Sequence, residues 1–234
     1  MKKVFYLTLI IGSLLQTKGY AADKGDLGGC NGYAENCQVG WILNHDGTCS
    51  ENKVNGKTPI GVIFYIDDVM SGKCGYAITP SPIAQVAFKT HYKPNTGLFT
   101  AETVTEASWQ SQSCTATRII LNKGDSSQYP AAWAAYEYAP SAVPTTKGKW
   151  CLPAAGLLNM ICRNLETVNK TIKKLGGIEL VDVNSERVWS SVAGDDDDNA
   201  AWTLFSYGNS NDCKIDTENA HSSYINTVRP VITF

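Results

Sequence analysis

Eight cysteines constrain this chain more than any other feature: Cys30, Cys37, Cys49, Cys74, Cys114, Cys151, Cys162 and Cys213. An even set in an exported protein reads as a disulfide framework, in which distant segments are pinned to one another. The competing use of such residues is zinc, which needs closely spaced pairs and a tetrahedral set of Cys and His ligands. No C-x-x-C pair exists, and the three histidines, His45, His91 and His221, are scattered. The set is therefore read as disulfide halves, with the pairing left open.

The start of the sequence supplies the exported context. Lys2 and Lys3 precede an apolar run from Val4 to Leu15, and the small-residue signal Gly19-Tyr20-Ala21 follows. That order is a secretory signal peptide, with cleavage expected after Ala21 or, as the near alternative, Ala22. The run is too short for a permanent span, which takes about 20 residues. A lipoprotein signal is the rival, since Leu27-Gly28-Gly29-Cys30 looks like a lipobox. A lipobox abuts its apolar run, however, and here Lys18, Asp23, Lys24 and Asp26 intervene. The formal charge of the whole chain is -2, and the leader carries three lysines and no acid, so the mature chain stands near -5. A mildly acidic exported protein is poorly matched to nucleic acid or anionic lipid.

Three regions follow: residues 1–21 as signal peptide, 22–57 as a short cysteine-containing segment, and 58–234 as one domain. "PIGVIFYID" is a continuous β-branched run, predicting a buried strand over Ile60 to Ile66, and "CGYAIT" predicts its hairpin partner. "TATRIILNKG" and "YPAAWAAYEYAP" predict helices, the second opened by Pro130. "KWCLPAAGLLNMICRNLETVNKTIKKLGG" predicts a longer helical stretch. It starts near Pro153, breaks near Asn164 and stops at Gly176-Gly177. Between Pro80 and Ser113 the signals are mixed, and Trp109 is the best core candidate there. "RVWSS", "AWTLFSYG" and "TVRPVITF" predict short closing strands. Strands, then helices, then strands argue for an α+β domain rather than a parallel α/β one.

Six of these segments, taken in order, resemble one family. "GVIFYI…GKCGYAI", "YPAAWAAYEY", "KWCLPAAGLLNM", "VWSS", "AWTLFSYG" and "VRPVITF" are similar to the C-terminal domain of the bacterial Lcl-type collagen-like adhesins, over residues 57–234. Two departures stand out: Leu157 sits where such domains often carry an acid, and the helix holding Trp133 lacks their common cysteine. The resemblance implies a C-type-lectin-like fold, with helices packed on small antiparallel sheets and long loops on one side. It implies that the "VWSS"–"AWTLF" connection and residues 208–223 lie on that side, where related folds bind sugars or proteins.

The first of those loops is "GDDDDNAAW". Asp195, Asp197 and Asn199 match the first three ligand positions of an EF-hand loop, but Ala200 replaces the required Gly and Ser206 the closing Glu. The EF-hand reading fails, leaving Asp195, Asp197 and Asn199 as a looser Ca²⁺ candidate and otherwise no cofactor. The lectin tripeptides E-P-N and Q-P-D are absent. The plainer reading of four adjacent carboxylates is a hairpin tip kept in water, where like charges are screened. No motif announces an activated nucleophile: there is no G-x-S-x-G, and Cys151 and Cys162 suit structural bridges better than redox chemistry. The expectation is therefore a non-enzymatic, surface or periplasmic recognition protein. Its binding loops are Asp195, Asp196, Asp197, Asp198 and Asn199, with Tyr207, Asn209, Asn211 and Asp212, a Tyr- and Asn-rich composition suited to adaptable contacts. The partner would be a glycan or a protein. The alternative is an envelope assembly component acting by protein–protein contact, and a homo-oligomer is compatible with either.

Overall fold

The computed structural model describes residues 33–67, 74–91, 98, 112–181, 187–194, 199–206, 213–221 and 223–234. Residues 1–21, the expected signal peptide, together with Cys30 and Trp109, lie outside the described residues. The expected hairpin forms from β3 (Pro59–Asp67) and β4 (Cys74–Ile78), antiparallel, with Val62 opposite Ile78 and Ile63 opposite Ala77. Two short strands, β1 (Ile42–Asn44) and β2 (Cys49–Ser50), pair onto the free edge of β3. Ile42 and Leu43 are wholly buried. The cysteine-containing segment therefore contributes to the same sheet as the domain it precedes, because its few apolar side chains have no other core to enter.

The remaining strands are β5 (Ala84–Val86), β6 (Val188–Ala193), β7 (Ala200–Ser206), β8 (Cys213–Asn219), β9 (Asn226–Val228) and β10 (Val231–Thr233). One sheet runs β10-β4-β3-β1-β2 and the other β5-β9-β6-β7-β8. All pairings are antiparallel except β6 with β9. The fold is thus α+β with small, mainly antiparallel sheets. One expectation needs correction: residues 213–219, read as part of a projecting loop, are strand β8, paired with β7 along its whole length. Its sequence, "CKIDTEN", has only two apolar residues, as suits an edge strand with little to bury.

Four helices stand among the described residues: α1 (Gln112–Leu121), α2 (Pro130–Glu137), α3 (Ala155–Arg163) and α4 (Leu165–Leu175). The break between α3 and α4 falls on Asn164, whose amide Nδ2 donates to the carbonyls of Met160 and Phe64. It substitutes for helix bonding at the break and also anchors that point to β3. Gly176 ends α4 at φ 79°, a left-handed cap that glycine adopts without side-chain strain. The apolar faces of both helices, including Leu157, Leu158, Ile161, Val168 and Ile172, meet Val62, Phe64 and Ile78 of the first sheet and Val188 and Leu204 of the second. The main core therefore joins the two sheets through α3 and α4.

Disulfides reinforce that arrangement. Cys162–Cys213 fixes the end of α3 to the start of β8, Cys114–Cys151 fixes α1 to the segment entering α3, and Cys37–Cys49 closes the N-terminal segment onto β2. Cys74 is also disulfide-bonded. The apolar placement of Cys162 on its helix suits the structural bridge it makes. Among the described residues, no helix is long and apolar enough to cross a membrane.

Candidate functional site

Hairpin β6–β7 supplies the connection expected between "VWSS" and "AWTLF". Its flanks pair as Val188 with Leu204 and Trp189 with Thr203, and Gly194 closes the base by donating its N–H to the Ala200 carbonyl at 2.7 Å. Asp195, Asp196, Asp197 and Asp198 lie outside the described residues, as do Tyr207, Asn209, Asn211 and Asp212. The roots of both loops are described, and they lie at opposite ends of β7. The aspartate loop enters the strand at Ala200, and the Tyr207–Asp212 loop leaves it after Ser206. Seven residues at about 3.3 Å each separate those roots by about 20 Å. Consecutive connections of an antiparallel meander leave from alternate ends, so of the expected 208–223 segment it is the Ala220–His221 end that returns to the root of the aspartate loop, where the Ala220 N–H donates to the Asn199 carbonyl.

Asn199 is likewise not a surface residue. It is 1 % exposed and holds a left-handed backbone at φ 49°, which Asn tolerates better than most side chains. Its Oδ1 accepts a hydrogen bond from Lys89 Nζ at 2.5 Å, and its carbonyl accepts one from the Ala220 N–H at 2.8 Å. An oxygen already facing an ammonium is badly placed to ligate Ca²⁺, so Asn199 drops out of the loose calcium set. Lys89 is 3 % exposed, and burial pushes its ammonium down to about 8. Among the described residues, no group of three or more His, Cys, Asp or Glu side chains is gathered as a metal site.

Residues that sequence reasoning passed over complete this end of the second sheet. The Ala220 carbonyl accepts from the Lys89 N–H at 2.9 Å, so the turn after β8 is laced to both Lys89 and Asn199. That turn presents His221 and Tyr224, whose rings meet edge to face at 5.3 Å, with Ser223 Oγ 2.9 Å from His221 Nδ1. Tyr224 is 41 % exposed and the next residue, Ile225, 62 %. Tyr224 and Ile225 thus place two adjacent large side chains in solvent beside this turn, as Val54 and Ile178 are elsewhere on the molecule. Only Tyr224, in its polar surroundings, gave a sequence-level hint. Elsewhere, a cleft of about 320 Å³ lies between α1 and α2, lined by Arg118, Leu121, Asn122, Trp133 and Tyr136.

The chain's resemblances to known proteins are distant. No family model and no curated protein matches it. Its fold is similar to the crystal structure of a fimbrial protein from Bacteroides ovatus, with a TM-score of 0.57 at 15 % identity. The likeness covers 84 % of this chain and 49 % of the fimbrial one, so this chain spans about half the length of that protein.

Proposed function

We propose that this is an exported cell-envelope protein that works by binding rather than by chemistry. Its contact surface is the end of the second sheet, where the root of the aspartate loop meets the 220–225 turn. The observation that carries the reading is the exposed Tyr224–Ile225 pair on a turn hydrogen-bonded into the sheet. An aromatic anchor beside polar, adaptable neighbours is the usual composition of a recognition surface. The disulfides support an oxidising compartment, and the signal-like N-terminus supports export. The Lcl-type resemblance supports a C-type-lectin-like domain with a glycan or protein ligand near the hairpin between "VWSS" and "AWTLF".

A second reading is favoured by the likeness to a fimbrial protein: the same surface would hold a neighbouring subunit of an envelope assembly. One experiment separates the two. The mature chain and its Tyr224→Ala/Ile225→Asp variant are screened against glycan and protein arrays, with and without chelator, and their mass in solution is followed by light scattering. Ligand capture by the wild type that the variant loses by tenfold or more supports recognition, since truncating an anchor typically costs about 2 kcal/mol. Concentration-dependent self-association lost in the variant supports assembly. If the variant matches the wild type in both, this surface is not the contact.

A further inference from the structure

The cleft between α1 and α2 is built from two helix faces. Arg118, Leu121 and Asn122 share one side of α1 and the turn that ends it, and Trp133 and Tyr136 share one side of α2, because helix neighbours recur every three or four positions. The core side of the pair is filled by Ile120, Ala131, Ala132 and Ala135, so the two aromatic rings are not spent on it. Both rings are fixed in place. Trp133 donates its indole N–H to the Gly124 carbonyl at 3.0 Å, which leaves the ring face, rather than the N–H, to a ligand. Tyr136 lies across Gly148, where an added Cβ would come within 3.3 Å of the phenol ring, and its carbonyl accepts the Gly148 N–H at 2.8 Å. The rings stand 6.2 Å apart at 83°, forming a corner. Arg118 and Asn122 are exposed at its mouth. Among the described residues, the Arg118 guanidinium makes no ion pair. The lining holds no acid, and Glu137, the acid next to Tyr136, is paired with Lys147.

We propose that this cleft binds the ring of a carboxylated sugar, a hexuronate or similar pyranose acid, as a site separate from the Tyr224 surface. The C–H face of the pyranose lies in the aromatic corner, drawn by the electron-rich ring faces. Arg118 takes the carboxylate through two parallel N–H donors, a geometry that its planar fork is shaped for. Asn122, both donor and acceptor, takes the hydroxyls beside it. A volume of about 320 Å³ lies at the low end of the roughly 300–1,000 Å³ of small-molecule sites, which suits one or two rings rather than a long chain. A peptide fits less well, because both walls are helices whose backbone groups bond internally and offer no strand edge. None of the lining residues belongs to the Tyr224 surface, so the site stands or falls independently of that reading.

Titration of the isotope-labelled mature chain with sodium glucuronate, followed by NMR at the tryptophan indole N–H signals, tests this. The Trp133 signal is identified by its loss in Trp133→Phe. Glucuronate is expected to move that signal with a Kd of about 1 mM, the order that per-atom binding efficiency sets for a single sugar ring. Glucose should bind at least about tenfold more weakly, since it offers Arg118 no charged acceptor. Arg118→Met, at an exposed position, should bring glucuronate down to the level of glucose. Equal binding of the two sugars, an unchanged glucuronate affinity in Arg118→Met, or a Trp133 signal that neither sugar moves overturns the proposal. So does acetate that shifts the signal as strongly as glucuronate, which would leave a bare anion contact. Tighter binding of N-acetylphenylalanine than of glucuronate would place a peptide terminus in the cleft and overturn it as well.

Discussion

At the scale of single residues, the Asp46 turn shows how a charge becomes a structural fastener. Asp46-Gly47 marks the turn in sequence, and the structure shows why the aspartate is there. Thr48 donates to Oδ1 from both its backbone N–H, at 3.2 Å, and its hydroxyl, at 2.6 Å, while Lys57 Nζ stands 2.9 Å from Oδ2. Burial alone would raise this carboxyl, but the bonds from Thr48 and Lys57 outweigh it and hold the group at about 2, below its ordinary 3.8. A depressed folded value means that the stabilisation is complete above the unfolded value, near pH 4, and is lost as the pH falls towards 2. Asp46→Asn should therefore cost about 1 kcal/mol at neutral pH, a figure reduced for partial exposure of the pair. The gap between variant and wild type should close between about pH 4 and 2, which urea titrations at stepped pH will show. An unchanging gap would mean that the carboxylate's charge is irrelevant to the turn.

At the scale of elements, the sequence discloses those that announce themselves by period or punctuation. The β3 strand, the proline-opened helix α2, the Asn164 break and the Gly176 stop were all legible, because each rests on a local rule. Strand β8 was not, since an edge strand with polar faces looks like a loop until its partner is known. The candidate site divides in the same way. The β6–β7 hairpin could be read from its flanks, whereas the burial of Asn199 depends on Lys89, far away in sequence. That Ser206 and Cys213 stand opposite each other, at the far end of β7 from Ala200, could be read only with β8 known. Disulfide pairing was unreadable for a related reason: it is fixed by which elements pack together. With pairing known, its energetics follow from loop length. Chain-entropy estimates give about 4 kcal/mol for Cys162–Cys213, spanning 51 residues, and about 3 kcal/mol for Cys37–Cys49, spanning 12. Paired Cys→Ser variants should lower denaturation midpoints in that order. The reverse order would mean that strain or residual structure in the unfolded chain dominates over loop closure.

At the scale of the whole molecule, the first and last strands among the described residues lie in one sheet. The N-terminal strands β1 and β2 and the C-terminal strand β10 flank the β3–β4 hairpin, so the first sheet closes only once the last residues arrive. Phe234 completes it. Its ring is wholly buried and fills the space over Gly75, where an added Cβ would come within 2.0 Å of a ring carbon. The Gly75 and Phe234 backbones exchange hydrogen bonds at 2.9 and 3.0 Å. Such long-range closure predicts slow folding relative to a helical protein of this size. It also predicts cooperativity, because α3 and α4 bury one continuous core against both sheets. Phe234→Ala should cost about 3–5 kcal/mol, the usual range for emptying a buried aromatic site. That loss should fall on both sheets together, although the cavity opens in only one. Hydrogen exchange read by mass spectrometry will test this on peptides from β3–β4 and from β6–β7. Equal loss of protection is expected if the sheets unfold as a unit. Protection retained in β6–β7 while β3–β4 opens would show that the second sheet, with its Lys89–Asn199 contact, stands without the first.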